Sequence, residues 1–214
     1  MKKLIILLFI SFFAISASES IAQDAKAGAV LDAMSAKYKS LKGFKADFSY
    51  GVVSNGKAGR VQKGSIAVKG VKFKLNMVGQ EIYNNGSDIY AYVKETNEVN
   101  VTEYDASNDG EFSPANIYSI YKKGYKYTYK GAKNIGGVAH DVVELVPNKK
   151  GNVEKIELTV DKASKTIKSW KLYSSPTKYT QFNVLTFTPN SGLADSYFTF
   201  NKASHPGVEV VDLR

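Results

Sequence analysis

Cysteine is absent from the chain, and histidine occurs only twice, at His140 and His205. No disulfide can form, and neither a zinc site of Cys/His spacing nor a cysteine nucleophile is available. An enzyme needs clustered groups of tunable protonation or metal affinity. No carboxylate set has calcium-loop spacing, no glycine-rich phosphate loop links a strand to a helix, and no serine sits in a nucleophile elbow. His140-Asp141 reads as a solvent-facing turn at a strand start, His205 before Pro206 as loop, and the stretch from Asp105 to Glu111 as a solvated connector. These absences argue against the common catalytic classes, so neither an enzyme nor a cofactor or metal is expected.

Long apolar runs are scarce as well. The single one, Leu4 to Ala14, follows Lys2 and Lys3 and precedes Ser20-Ile21-Ala22. It is too short to span a bilayer and has the layout of a cleavable signal peptide. We therefore read residues 1–22 as a leader and 23–214 as one exported domain, long enough to hold a core without disulfides. The formal net charge is +9. Export and the scatter of the lysines argue against nucleic acid, and no aromatic-basic RNA motif is present. The charge suits a solvated monomer surface, with a mild preference for anionic membranes.

Apolar and aromatic residues are abundant, including fourteen tyrosines and eleven phenylalanines. Val30, Leu31, Met34, Tyr38 and Leu41 recur at helical spacing, predicting an amphipathic helix over 24–42 capped by Asp24 and stopped by Gly43. From Phe44 onward the period becomes two. In GSIAVKGVKFKLNM, Val71, Phe73, Leu75 and Met77 alternate with Lys72, Lys74 and Asn76, the pattern of a half-buried strand. Ser54-Asn55-Gly56 and Asn84-Asn85-Gly86-Ser87 read as tight turns. Ser113-Pro114 opens a predicted second helix with Ile117, Ile120 and Tyr121 as its stripe and Gly124 as its end. Strands then resume to about residue 188, and Phe198, Phe200 and 207–211 read as a last extended piece. Tyr90 and Tyr92 share one strand face and Tyr125, Tyr127 and Tyr129 another; such stripes suit half-buried strands, though exported β-proteins also bind sugars with them. About ten sequential antiparallel strands with two one-sided helices predict a mostly β fold. It is an incomplete antiparallel barrel, or curled sheet, with helices as a lid over its concave apolar face.

The order of these elements carries a resemblance. The helix runs into "YKSLKGFKADFSY", then come "KGSIAVKGVKFKLNM", "NNGSDIYAYVKETNEVNV", a Pro-initiated helix, "IELTVDKASKTIKSW" and "FTFNKASHPGVEVVDLR". Over essentially the whole chain after the leader, this resembles the LolA-type periplasmic carriers of outer-membrane lipoproteins. The resemblance implies a carrier that takes acylated lipoproteins from an inner-membrane ABC transporter and delivers them to an outer-membrane receptor or membrane surface. One feature departs from the family. Where the familiar strand ends in Lys-Arg-Pro, with the arginine latching the lid, this chain reads Lys69-Gly70-Val71. A lysine cannot reproduce the planar five-donor fork of arginine, so that latch does not carry over.

On this reading the ligand-facing strand residues are Phe48, Ile66, Val68, Phe73, Leu75, Met77, Leu145, Ile156, Leu158, Phe182 and Val184. Leu31, Met34, Ile117 and Ile120 are added from the lid helices. A one-residue error in register would turn any of these strands over. The competing readings are a carrier or sensor of another lipid on the same fold, and an ordinary secreted β-protein.

Overall fold

A computed structural model describes residues 24–105 and 117–214 of the chain. The predicted leader, residues 106–111 of the connector and residues 113–116 of the predicted second helix lie outside them. The amphipathic segment forms helix α1 (Ala25–Lys39). One oxygen of the Asp24 cap accepts the Lys26 and Ala27 N–H groups at 2.9 and 3.0 Å. Its other oxygen accepts the Tyr129 N–H at 2.8 Å. A capping carboxylate satisfies donors that lack an intrahelical partner, and here it also fastens the helix to a strand. The buried stripe of α1 is Ala27, Leu31, Met34, Ser35 and Tyr38.

Thirteen strands follow: β1 (Phe44–Ser54), β2 (Lys57–Ala58), β3 (Gln62–Lys69), β4 (Lys72–Met77), β5 (Gln80–Asn84), β6 (Asp88–Val93), β7 (Glu98–Glu103), β8 (Tyr125–Ile135), β9 (Val138–Pro147), β10 (Lys155–Asp161), β11 (Ile167–Ser175), β12 (Lys178–Pro189) and β13 (Glu209–Asp212). They form one sheet in the order β13-β7-β6-β5-β4-β3-β1-β12-β11-β10-β9-β8, with the short β2 beside β1. β1 is the seam, antiparallel to β3 on one side and to β12 on the other. The outermost strands, β8 and β13, pair with no further strand among the described residues, so the sheet stays open as expected.

Three expectations are revised. Among the described residues the second lid helix is not observed: Ile117 to Ser119 form a turn, and Ile120–Lys122 makes a single 3-10 turn. The tail is not simply extended. It has 3-10 turns at Asp195–Phe198 and Lys202–Ser204 before β13 joins β7 in parallel. The tail also covers the outer face of the sheet, where Phe200 and Val208 pack with Tyr83, Tyr92 and Val99. Finally, His140 is no solvent-facing turn. It lies within β9, 2 % exposed, with Nδ1 2.8 Å from the Val138 carbonyl oxygen and Nε2 3.9 Å from the Asp161 carboxylate.

Candidate ligand-binding site

The inner face of the sheet begins with β1, where Phe44, Ala46, Phe48 and Tyr50 are buried and the residues between them are not. Ladder register carries that face outward. Ala46 stands opposite Ile66 of β3 and Phe187 of β12; Tyr50 stands opposite Phe182. Ile66 meets Leu75 of β4, and Phe182 meets Trp170 of β11. Helix α1 packs against β8 and β9. In that core cluster Leu31, Met34, Leu145, Ile156 and Leu158 are at most 1 % exposed.

Beside the helix the face is not filled. A cavity of about 160 Å³ is walled by Phe44, Ala46 and Phe48 from β1, Ile66 from β3, and Leu75 and Met77 from β4. Ile167 and Trp170 from β11, Phe182, Val184 and Phe187 from β12, and Tyr38 and Ile117 complete it. β4 and β11 are four strand positions apart. On a flat sheet they would be separated by about 19 Å, at about 4.8 Å per strand. For Leu75 and Trp170 to wall one cavity, the sheet must curl.

Tyr38, in the last turn of α1, closes one end. Its ring stands edge-on to Phe44 and Phe187, with centroids at 5.3 and 5.7 Å, and stacks on Tyr118 at 5.1 Å. Its hydroxyl oxygen accepts the Ile167 N–H at 3.1 Å. Burial pushes the phenol up to about 12, so it stays neutral and the contact persists at ordinary pH. The Tyr121 hydroxyl donates to the Asp32 carboxylate at 2.5 Å, which ties the 117–122 segment to α1. On the opposite wall Trp170 stacks on Phe182 at 4.7 Å. Its indole N–H is buried and has no hydrogen-bond partner among the described residues.

Of the residues singled out in the sequence, Phe48, Ile66, Leu75, Met77, Phe182, Val184 and Ile117 line the cavity. Val68, Phe73, Leu145, Ile156, Leu158, Leu31, Met34 and Ile120 lie in the packed core around it instead. Much of that difference follows from α1, which fills the space over β8 and β9. Six wall residues were not anticipated. Phe44 and Ala46 share the parity of Phe48 and were legible from it. Phe187 and Ile167 were not, because bulges reverse parity at Asp47/Phe48 and Thr159/Val160. Leu185 is the extra residue of the first bulge; past it Thr186 is exposed, where unbroken alternation from Phe182 and Val184 would turn it in, and Phe187 faces in instead. Such a reversal follows directly from one extra residue in a strand.

The site of the missing arginine also has an account. Gly70 turns the β3–β4 hairpin with φ of +60°, and a side chain there would meet nothing within 4 Å. Lys69 reaches the tail rather than the lid: its ammonium donates to the Leu193 carbonyl at 3.0 Å and to Asp195 at 2.8 Å, and Lys72 also binds Asp195 at 2.8 Å. Among the described residues, no group of three or more His, Cys, Asp or Glu side chains is placed to hold a metal. No described helix is long and apolar enough to cross a membrane.

Residues 16–174 match the family model described as outer membrane lipoprotein carrier protein LolA. No curated protein matches the chain. Among solved structures, an uncharacterized conserved protein from Thermus thermophilus superposes with a TM-score of 0.61 at 10 % identity, covering 87 % of this chain and 99 % of that one. A LolA superfamily protein from Nitrosomonas europaea gives 0.45 at 13 % identity, over 81 % and 97 %. The Mycobacterium tuberculosis lipoprotein LppX gives 0.46 at 10 % identity, over 80 % and 98 %. At these identities the likeness concerns the fold alone.

Proposed function

The chain belongs to the LolA family of outer membrane lipoprotein carrier proteins, and on that premise we propose that it is a periplasmic carrier. It shelters the acyl chains of lipoproteins and moves them from an inner-membrane ABC-type transporter to an acceptor at the outer membrane. The observation that carries the reading is the inner-face cavity, whose thirteen wall residues are all apolar or aromatic. Phe48, Ile66, Leu75, Met77, Phe182, Val184 and Ile117 are its proposed ligand contacts, joined by Trp170 and Phe187.

Size and energy together define the mode of action. A dry apolar cavity of about 150 Å³ takes a benzene-sized molecule, so about 160 Å³ holds no whole acyl chain. The lid must move. Sheltering some fifteen methylenes is worth about 12 kcal/mol gross. Against that stand one buried hydrogen bond, from the Ile167 N–H to Tyr38, at about 1 kcal/mol and three ring contacts of Tyr38 at about 0.5–1.5 kcal/mol each. Ligand binding therefore outweighs the displacement of Tyr38, and the cost of that displacement moderates affinity so that cargo can be released. The Trp170 N–H gains an acceptor when an ester or amide carbonyl arrives, recovering about 1–3 kcal/mol of desolvation cost. Transfer then runs on small differences in affinity among donor, carrier and acceptor.

The test is what accompanies the protein. Isolated gently from a cell envelope and analysed by mass spectrometry, it is expected to carry acylated N-terminal cysteine peptides. Free lipid alone would reassign the cargo to another lipid, and an empty protein would count against carriage altogether.

A further inference from the structure

Strands β3 and β4 stop pairing before they end. Their ladder runs from Lys69 and Lys72 to Ser65 and Asn76. Beyond it, Gly64 stays with Phe48 of β1 and Met77 with Gln80 of β5. The Asn76 side-chain amide donates to Ser65 Oγ at 3.0 Å and clasps the last rung. The next N–H, of Val78, is taken at 3.2 Å by the Tyr50 hydroxyl, a side chain and not a strand. The pairing of β3 and β4 ends there, and an open cleft of about 590 Å³ lies beside the unpaired ends and reaches Asp47, Leu185 and Thr186.

This cleft and the inner cavity share two wall residues, Phe48 and Met77. A Cβ added at Gly64 would stand 2.6 Å from the Phe48 ring, so the ring lies across a position kept free of any side chain. Met77 is unbranched and adaptable.

The cleft differs from the cavity in chemistry. Lys63, Ser65, Asn76, Lys94 and Thr186 line it together with Asp47. Asp47 is engaged by the Thr186 hydroxyl at 2.7 Å, and Lys94 by Glu81 at 2.9 Å. Lys63 has no ion-pair partner among the described residues. All the other wall residues come from two stretches, Phe48 to Gln80 and Lys162 to Ala194, and neither contains a single Asp or Glu.

We propose that this cleft seats the anionic head of an acyl amphiphile whose chain passes between Phe48 and Met77 into the inner cavity, with Lys63 as the main cationic contact. The proposal rests on the carrier reading above and adds to it a polar subsite and a lateral entrance. To test it, the full chain is titrated with uncharged 1-N-phenylnaphthylamine, and with twelve-carbon lysophosphatidylglycerol and lysophosphatidylcholine below their micelle concentrations. The anionic lysolipid is expected to bind roughly tenfold more tightly than the zwitterionic one, the scale of one charge-assisted contact. Lys63→Glu should abolish that preference and leave phenylnaphthylamine binding unchanged. Lys126→Glu, the same charge change on an exposed residue of β8, should preserve it. A lauroylated Cys-Asp-Ser peptide and its Cys-Asn-Ser counterpart run in parallel. A Lys63-dependent preference confined to the lipid pair assigns the head to a phospholipid; one confined to the peptide pair assigns it to an acidic acyl peptide. No preference in either pair, or a preference that survives Lys63→Glu, overturns the subsite. If the wild type fails to bind phenylnaphthylamine at all, it is the carrier reading beneath the subsite that falls.

Discussion

The inner face of the sheet is finished in two different ways. Over β8 and β9 it carries α1, and Leu31, Met34, Leu145 and Leu158 reach 0 % exposure. Over β1, β3, β4, β11 and β12 an equally apolar surface is left with a cavity of about 160 Å³. Apolarity does not distinguish the two regions: Leu31, Met34, Leu145, Ile156 and Leu158 make the packed side, and Phe44, Phe48, Trp170 and Phe182 with Ile66, Leu75 and Val184 make the cavity wall. The position of one helix does, and that position is set at its ends, by Asp24 on the Tyr129 N–H and by Tyr38 on the Ile167 N–H. Among the described residues, the cavity is an apolar surface that α1 leaves uncovered.

The contrast can be broken most forcefully from the filled side. Leu158→Ala, in the core cluster that α1 completes, should cost about 2–5 kcal/mol in denaturant unfolding, because the packed surroundings cannot collapse into the hole. Enlarging small residues sharpens the contrast further. Ala27→Leu adds volume where exposure is already 0 % and should cost about 1–3 kcal/mol. Ala46→Leu points its added volume into the cavity; it should stay within about 1 kcal/mol of wild type while weakening phenylnaphthylamine binding. Tyr38→Phe, at the border between the regions, leaves the Ile167 N–H unpaired and should cost about 1–2 kcal/mol, with faster ligand exchange in stopped-flow measurements.

The smallest effect belongs to the outer face. Hydrogen bonds from Lys69 and Lys72 hold the Asp195 carboxyl down at about 2, from an ordinary 3.8. A depressed pKa contributes stability that is complete above the unfolded value and lost as pH falls through the folded one. The tail anchor should therefore be intact above about pH 4 and fade between about pH 4 and 2. Asp195→Asn should remove that part of the acid transition, monitored by circular dichroism, without altering ligand binding at neutral pH.

Much of this arrangement was legible in the sequence. The stripe from Leu31 to Tyr38 located α1, Phe44, Ala46 and Phe48 gave the inner face of β1, and Phe73, Leu75 and Met77 that of β4. Local periodicity carried these because nothing interrupts it. It failed where the backbone gains a residue: Phe187 and Ile167 sit beyond bulges that no composition signal announces. It also could not tell core from cavity. Leu145 and Leu75 follow the same alternation, and only the long-range docking of α1 over one of them separates their fates. The Pro-initiated helix was read from local cap chemistry, but its described part is a turn and a 3-10 turn from Ile117 to Lys122. The tail's place on the outer face depends on its pairing with β7, distant in sequence.

Trp170 is the chain's single tryptophan and stands in the cavity wall. Its fluorescence is therefore a direct report on what enters the cavity. Titration with a stearic acid brominated near the middle of its chain should quench it saturably, to an end point of one ligand per protein, and unbrominated stearate should compete. Quenching no stronger than that of free tryptophan in solution, linear in quencher and indifferent to competitor, would contradict the claim that this face receives acyl chains.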